Sequence, residues 1–229
     1  MKKNVLITGA SGNLGKATVE KFLAKGYQVI ATTSPGKKLD YKVDDVTTYE
    51  VDLTNEQSVA KVIAQVIADY QSIDITVLLV GGFAAGGIET TDGELLKKMY
   101  ALNFETAYFA VRPIFGQMKK QKEGGKIILI GARPALSAKS GKDLLAYSLS
   151  KSLLFKLAEY LNEEGASHDI VVHVIVPSVI DTTINRKAMP NADYSAWVKP
   201  EEISEIMAFI SSDAGNAIRE SVIKIYGNA

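Results

Sequence analysis

The chain has 229 residues, with 26 basic and 26 acidic side chains that cancel to a net charge of zero. That balance leaves no electrostatic footprint for nucleic acid or an anionic membrane, so the expected partner is a small molecule. Cysteine is absent, which excludes disulfides, thiolate zinc sites and thiol catalysis together. A chain this long buries one sizeable core, and one domain over 1–229 is expected.

Short β-branched runs alternate with longer stretches of helical periodicity. A first strand at 5–7 leads into a helix over 13–25, and a second strand spans 27–31. A third strand at 48–51 precedes a helix over 57–70. Residues 75–80, Ile-Thr-Val-Leu-Leu-Val, lack polar alternation, as a strand buried on both faces should. The helical region over 93–120 is expected to break at Pro113. A strand at 126–130, a helix over 144–163, a strand at 170–176, a helix over 200–211 and a strand at 222–225 complete the pattern. This βαβα order predicts an α/β, Rossmann-type doubly wound parallel sheet of about seven strands with helices on both faces. The only histidines, His168 and His173, are expected at surface or edge positions. No run of about 18 apolar residues occurs, and the leading Val5-Leu6-Ile7 is far shorter than a signal-peptide core, so a cytoplasmic protein without a membrane span is expected.

Between the first strand and its helix lies Thr8-Gly9-Ala10-Ser11-Gly12-Asn13-Leu14-Gly15. A dinucleotide fold needs such glycines for a tight turn, for backbone approach to a pyrophosphate and for close helix packing, with phosphate charge at the helix N-terminus. After the second strand the chain reads Thr32-Thr33-Ser34-Pro35-Gly36-Lys37-Lys38. An NAD site often places an acid there, on the adenosine ribose. Here hydroxyls and two lysines stand instead, which suits a ribose 2′-phosphate and favours NADP(H) over NAD(H). Downstream, Tyr147 and Lys151 lie four apart on a predicted helix and so share one face, where a phenol and an ammonium can converge on one reacting centre.

Over nearly its whole length the chain resembles the short-chain dehydrogenase/reductase family. The resemblance implies cofactor contacts from Gly9, Ser11, Gly12, Asn13, Leu14 and Gly15, from Thr33 and Ser34, and from Asp52 and Leu53 beside the adenine. Gly81, Gly82, Pro177, Ile180 and Thr182 are expected near the nicotinamide half. It further implies that Asn103 holds a proton-relay water, that Tyr147 gives or takes the proton, and that Lys151 holds the nicotinamide ribose and lowers the phenol's pKa. The segments 80–87, 131–136 and 181–197, with the Gly-x-x-Gly-x-x-Gly spacing, resemble the dihydropteridine reductase branch. The chain differs from the animal enzymes of that branch at Thr33, where they carry Asp and prefer NADH, and at Asn103, which they lack.

The family's usual third member is a serine just after the fifth strand, and that position here is Ala132. Losing one such donor costs on the order of 2.7–4 kcal/mol in the transition state. A substrate with its own electron sink, such as a quinonoid dihydropterin or another flat conjugated imine or quinone, needs the donor less. Phe83, Tyr194 and Trp197 are expected to line the substrate pocket, the last two from a lid around 181–199. The expected function is an NADPH-dependent reductase of a flat conjugated acceptor. Retained Asn103 supports a general carbonyl or quinone reductase as one alternative. The glycine spacing and Ala132 suggest another, a non-catalytic NADP(H)-binding redox sensor. Pairing through the helices over 93–120 and 144–163 is expected to give a homodimer or higher homo-oligomer.

Overall fold

Seven strands pair in parallel into one sheet: β1 (Asn4–Thr8), β2 (Gln28–Thr33), β3 (Val46–Glu50), β4 (Ile75–Leu78), β5 (Gly125–Ile130), β6 (Ile170–Pro177) and β7 (Val222–Ile225). They lie in the order β3-β2-β1-β4-β5-β6-β7 in a computed structural model that describes residues 2–41 and 45–228. The chain winds outward from β1 to β3, then crosses back to lay β4 on the other side of β1. That reversal opens a crevice beyond the carboxyl ends of β1 and β4, where ligands of doubly wound sheets bind.

Alternating strand residues feed two separate cores, so the strands show no polar period. Leu6, Ile30, Leu129 and Val174 join α2 (Glu56–Tyr70), α4 (Thr106–Met118) and α6 (Leu145–Gly165) on one face. Val5, Ile7, Val29 and Ile175 join α1 (Asn13–Ala24) and α8 (Pro200–Ser211) on the other. Caps set some helix starts: Asn55 accepts from Ser58 N at 2.9 Å before α2. Asp92 likewise accepts from Leu95 N at 2.8 Å before α3 (Gly93–Tyr100). Two short helices, α5 (Ala138–Gly141) and α7 (Thr183–Ala188), lie in the loops after β5 and β6 and carry too few residues for a periodic signal.

Two expectations are corrected. The helix over 93–120 does not break at Pro113, which lies inside α4. A proline there forgoes one backbone bond, and the buried neighbours Val111, Ile114 and Phe115 hold the helix on the core. The interruption is instead a π-helical turn at Ala101–Glu105. His173 is not at a surface or edge: it pairs with Ile128 inside the sheet and is fully buried. Its Nδ1 lies 2.8 Å from the Glu220 carbonyl oxygen, and burial holds its pKa below the usual imidazole range. Among the described residues no helix is long and apolar enough to cross a membrane.

Gly15 is the tightest point of the β1–α1 unit, because a Cβ there would meet the Gly9 carbonyl oxygen at 2.1 Å and Ala10 Cα at 2.7 Å. Backbone atoms on both sides cannot swing away. Gly15→Ala is therefore expected to lower unfolding stability by about 1–3 kcal/mol in urea titration. Gly93→Ala, which meets nothing within 4 Å, should stay within about 0.5 kcal/mol of the parent.

Candidate active site

The carboxyl end of β1 turns at Gly9, whose φ of 70° lies in the left-handed region that favours glycine. Gly12 N then donates to Gly9 O at 3.0 Å, which closes the turn, and Gly12 caps α1 in extended conformation with no side-chain hydrogen bond. The first turn of α1 also carries no acid. Its N-H groups and positive dipole end are left available to an anion, with Ser11, Asn13 and Leu14 around them. Tyr41, unforeseen from the sequence, donates from its hydroxyl to Ala10 O at 2.9 Å and ties the chain beyond β2 to this turn.

Thr33 ends β2 with its hydroxyl buried and unpartnered, as is that of Thr32. Ser34, Lys37 and Lys38 are exposed beside it. Glu50, at the end of β3, accepts from Gly36 N at 3.0 Å, which places a carboxylate against this loop. Asp52 Oδ1 accepts from Thr54 N at 3.0 Å and from Thr54 Oγ1 at 2.6 Å. Those bonds hold its carboxyl below the usual range, and Leu53 is half-buried next to it. The uncapped helix end and the orphaned hydroxyls at the end of β2 fit the phosphate and ribose groups of a dinucleotide.

Helix α6 carries Tyr147 and Lys151. Lys151 is 5% exposed, and its ammonium donates to the Ile130 carbonyl at 2.7 Å, at the end of β5. Burial pushes it down to about 8. Tyr147 stands one turn earlier, its ring edge-on to Phe83 at 5.1 Å between centroids, and its hydroxyl makes no hydrogen bond among the described residues. Here an expectation fails: Lys151 does not lower the phenol's pKa. Burial pushes Tyr147 up to about 12. The same exclusion of water disfavours phenolate and ammonium alike, and the Lys151 charge is directed at the Ile130 carbonyl.

Asn103 lies in the π-helical turn, buried to 1% exposure. Its Oδ1 accepts from Gly82 N at 2.9 Å, and its Nδ2 donates to Ser150 Oγ at 3.0 Å and faces Met99 Sδ at 3.8 Å. Both amide hydrogens thus point at protein groups. A Cβ on Gly81 would lie 2.6 Å from Asn103 Oδ1 and 3.1 Å from Lys151 Nζ, so Gly81, Asn103 and Lys151 meet at one point.

Ala132 is buried just past β5. The segment 181–199 follows β6, and its ends are joined where Asp181 N donates to Val198 O at 2.8 Å and Val198 N to Val179 O at 3.0 Å. Thr182 accepts from Asn185 N at 3.1 Å and caps α7, while Asn185 Nδ2 donates to Ile180 O at 2.8 Å. Arg186 grips Asp181 with two bonds of 2.6 and 2.7 Å and lies over the Tyr194 ring. Tyr194 packs on Trp197 at 4.8 Å, and Trp197 is 8% exposed. Both aromatics pack within the 181–199 segment, whereas Phe83 is 66% exposed beside Tyr147.

The sequence profile described as short chain dehydrogenase matches residues 3–193. The chain belongs to the short-chain dehydrogenase/reductase family. It is 28% identical over 236 residues to an NAD-dependent glycerol dehydrogenase of Listeria innocua, covering 94% of this chain and 89% of that one. It is 27% identical over 210 residues to a dihydropteridine reductase of Dictyostelium discoideum, covering 90% and 86%. A solved structure of ElxO with NADP bound superposes with a TM-score of 0.90 at 24% identity, covering 99% of this chain and 98% of that one. This short-chain dehydrogenase/reductase is an NAD(P)-binding oxidoreductase. Sequence reasoning missed Ser150 and Tyr41 as site-building residues; the signal for Ser150 was its place directly before Lys151.

The buried lysine sets a further property of this oxidoreductase. Its folded pKa, about 8, lies below the ordinary 10.5. Between those values the unfolded chain binds more protons, so the lysine's contribution to stability rises with pH across that window and is unfavourable at pH 7. Lys151→Met should raise the melting temperature of the cofactor-free protein at pH 7 and flatten its rise from pH 8 to 10 relative to the parent. Melts across that range check it, and a lower melting temperature at pH 7 is the contrary result.

Proposed function

We propose that this oxidoreductase is an NADPH-dependent reductase of a flat conjugated acceptor, of the quinonoid dihydropterin type. The observation that carries the reading is the combination at the end of β5: Ala132 offers no hydroxyl where a carbonyl oxygen would need one, while Tyr147 stands beside exposed Phe83. An acceptor with its own electron sink tolerates that loss. The Dictyostelium relative, a dihydropteridine reductase, supports the same class. The Listeria relative is named as NAD-dependent, but here β2 ends in Thr33 and Ser34 with Lys37 and Lys38 beyond, a set suited to a 2′-phosphate. Quinones share the electron sink, and the apolar, exposed Phe83 and Ile88 favour a general quinone reductase as the second reading.

The bound nicotinamide supplies a hydride. The residues of the chain do the rest. Tyr147 keeps its proton across the neutral range, because burial pushes the phenol up to about 12, and its Oη gives that proton to the acceptor atom made basic by reduction. Lys151, one turn away on the same face and held on the Ile130 carbonyl, would hold the nicotinamide ribose. Phe83 offers its face to a flat ring and shields the phenol from water. Trp197 and Tyr194 pack on each other and would hold a substrate lid at 181–199 in shape.

Steady-state assays with quinonoid dihydropterin and a quinone test the assignment. NADPH should exceed NADH in kcat/KM by about tenfold, and Tyr147→Phe should lower kcat by about 10²-fold or more. Absence of dihydropterin turnover with either nicotinamide removes the pterin reading. Full activity in Tyr147→Phe removes the acid role, and NADP(H) binding without turnover of any acceptor by the parent leaves a redox sensor.

A second copy of the chain is the proposed partner of the α3, α4 and α6 surface. Leu96, Tyr100, Tyr108, Leu149, Leu153 and Tyr160 are large apolar side chains exposed there. Scattered exposed apolar residues are ordinary, but six on adjoining helices form a patch of the kind that marks an interface. Sedimentation should give a dimer or larger, with Leu153→Glu shifted toward the monomer; a parent that sediments as a monomer at micromolar concentration overturns it.

A further inference from the structure

We infer that Ser150 is a positioning residue of the site: its hydroxyl locks the Asn103 carboxamide so that Asn103 holds the Gly81-Gly82 backbone against the face of α6 that bears Lys151. Only the kinetic part of its test rests on the reading of Tyr147 and Lys151 as the acid/base pair.

Each bond has one permitted direction. Ser150 Oγ donates to the Tyr147 carbonyl at 2.8 Å, so its single hydrogen is used. What remains is a lone pair, and Asn103 Nδ2 donates to it at 3.0 Å. That turns Asn103 Oδ1 toward Gly82 N, from which it accepts at 2.9 Å. A flipped amide would set NH2 against the Gly82 N-H and a carbonyl against a hydroxyl with no hydrogen left. Asn103 and Ser150 are 1% and 3% exposed, so water does not substitute for either bond.

The chain of bonds joins three separate elements: α6, the π-helical turn at Ala101–Glu105, and the loop after β4. That loop lies at the switch point of the sheet, where small displacements move whatever is bound. Contact is close there, since Asn103 Oδ1 lies 2.6 Å from where a Gly81 Cβ would be, and Lys151 Nζ 3.1 Å. Removing the Ser150 hydroxyl leaves Asn103 Nδ2 with only the distant Met99 sulfur as a partner. The amide is then free to turn, and Gly82 loses its acceptor.

Amide hydrogen exchange followed by NMR, together with steady-state kinetics, tests the inference on the full-length protein. In Ser150→Ala, exchange at Gly82 N-H should speed by about tenfold while Ile128 in β5 keeps its rate. Its kcat should fall by about tenfold with KM for NADPH within about twofold, and Ser150→Thr should recover both. Ser150→Ala on an Asn103→Ala background should add nothing further, as expected of residues acting as one unit. Unchanged Gly82 exchange in Ser150→Ala, or additive losses in the double variant, overturns the inference. If Ser150→Ala does not fold, Ser150→Cys keeps the shape while weakening both bonds and gives the same readouts. Tyr147→Phe separates the two readings: it should leave Gly82 exchange unchanged, and if it keeps full activity the acid/base reading fails while the exchange result still decides the role of Ser150.

Discussion

A single hydrogen bond, 2.7 Å from the Lys151 ammonium to the Ile130 carbonyl, fixes how the longest helix meets the sheet. A cation that is 95% buried requires an acceptor, and the carboxyl end of β5 presents one. Helix α6 therefore cannot rotate about its axis without leaving a charge unpaired. With that rotation fixed, Tyr147 is set one turn back at the mouth, Ser150 faces the π-helical turn, and Gly81 lies under the lysine with no room for a side chain. The ordering of the crevice follows from that buried charge.

Burial explains why the two ionisable groups shift as they do. Desolvation pushes the ammonium down to about 8 and the phenol up to about 12, each toward its neutral form. For a proton donor the second shift is useful, because the proton is present at every physiological pH. For a proton acceptor it is a handicap. On the reading of Tyr147 proposed above, a phenol that keeps its proton suits reduction, since oxidation would need a phenolate at the start.

Much of this was legible in the sequence, and the exceptions share a cause. The central strands β1, β4, β5 and β6 could be read because each feeds two apolar cores and is largely apolar; the edge strand β3, exposed along much of its length, was displaced by two residues at its start, from 48 to Val46. Gly9, Gly12 and Gly15 were legible because their roles are local, as was the spacing of Tyr147 and Lys151. What could not be read depends on partners far away in the chain. The π-helical turn at Ala101–Glu105 places Asn103 against Ser150, 47 residues on, and Gly82, 21 residues back. His173 carries no mark of burial, since only the adjoining strands and the Glu220 carbonyl accommodate it. The direction of the Tyr147 shift was misread because spacing gives proximity, whereas the outcome turns on where water is excluded.

The absence at Ala132 gains meaning from the same geometry. A serine there would add a donor beside polar side chains that are already engaged: Lys151 with Ile130, Asn103 with Gly82 and Ser150, and Asp181 with Arg186. Among these groups only the Tyr147 hydroxyl is uncommitted, and the neighbouring side chain that faces it is the apolar Phe83. A substrate whose polarity resides in one strongly held carbonyl would find a single donor and a hydrophobic wall. One that spreads incoming charge over a conjugated ring needs no second donor and gains from contact with that wall. On the reading proposed above, one free phenol beside one aromatic face would favour flatness and delocalisation in the acceptor more than any particular functional group.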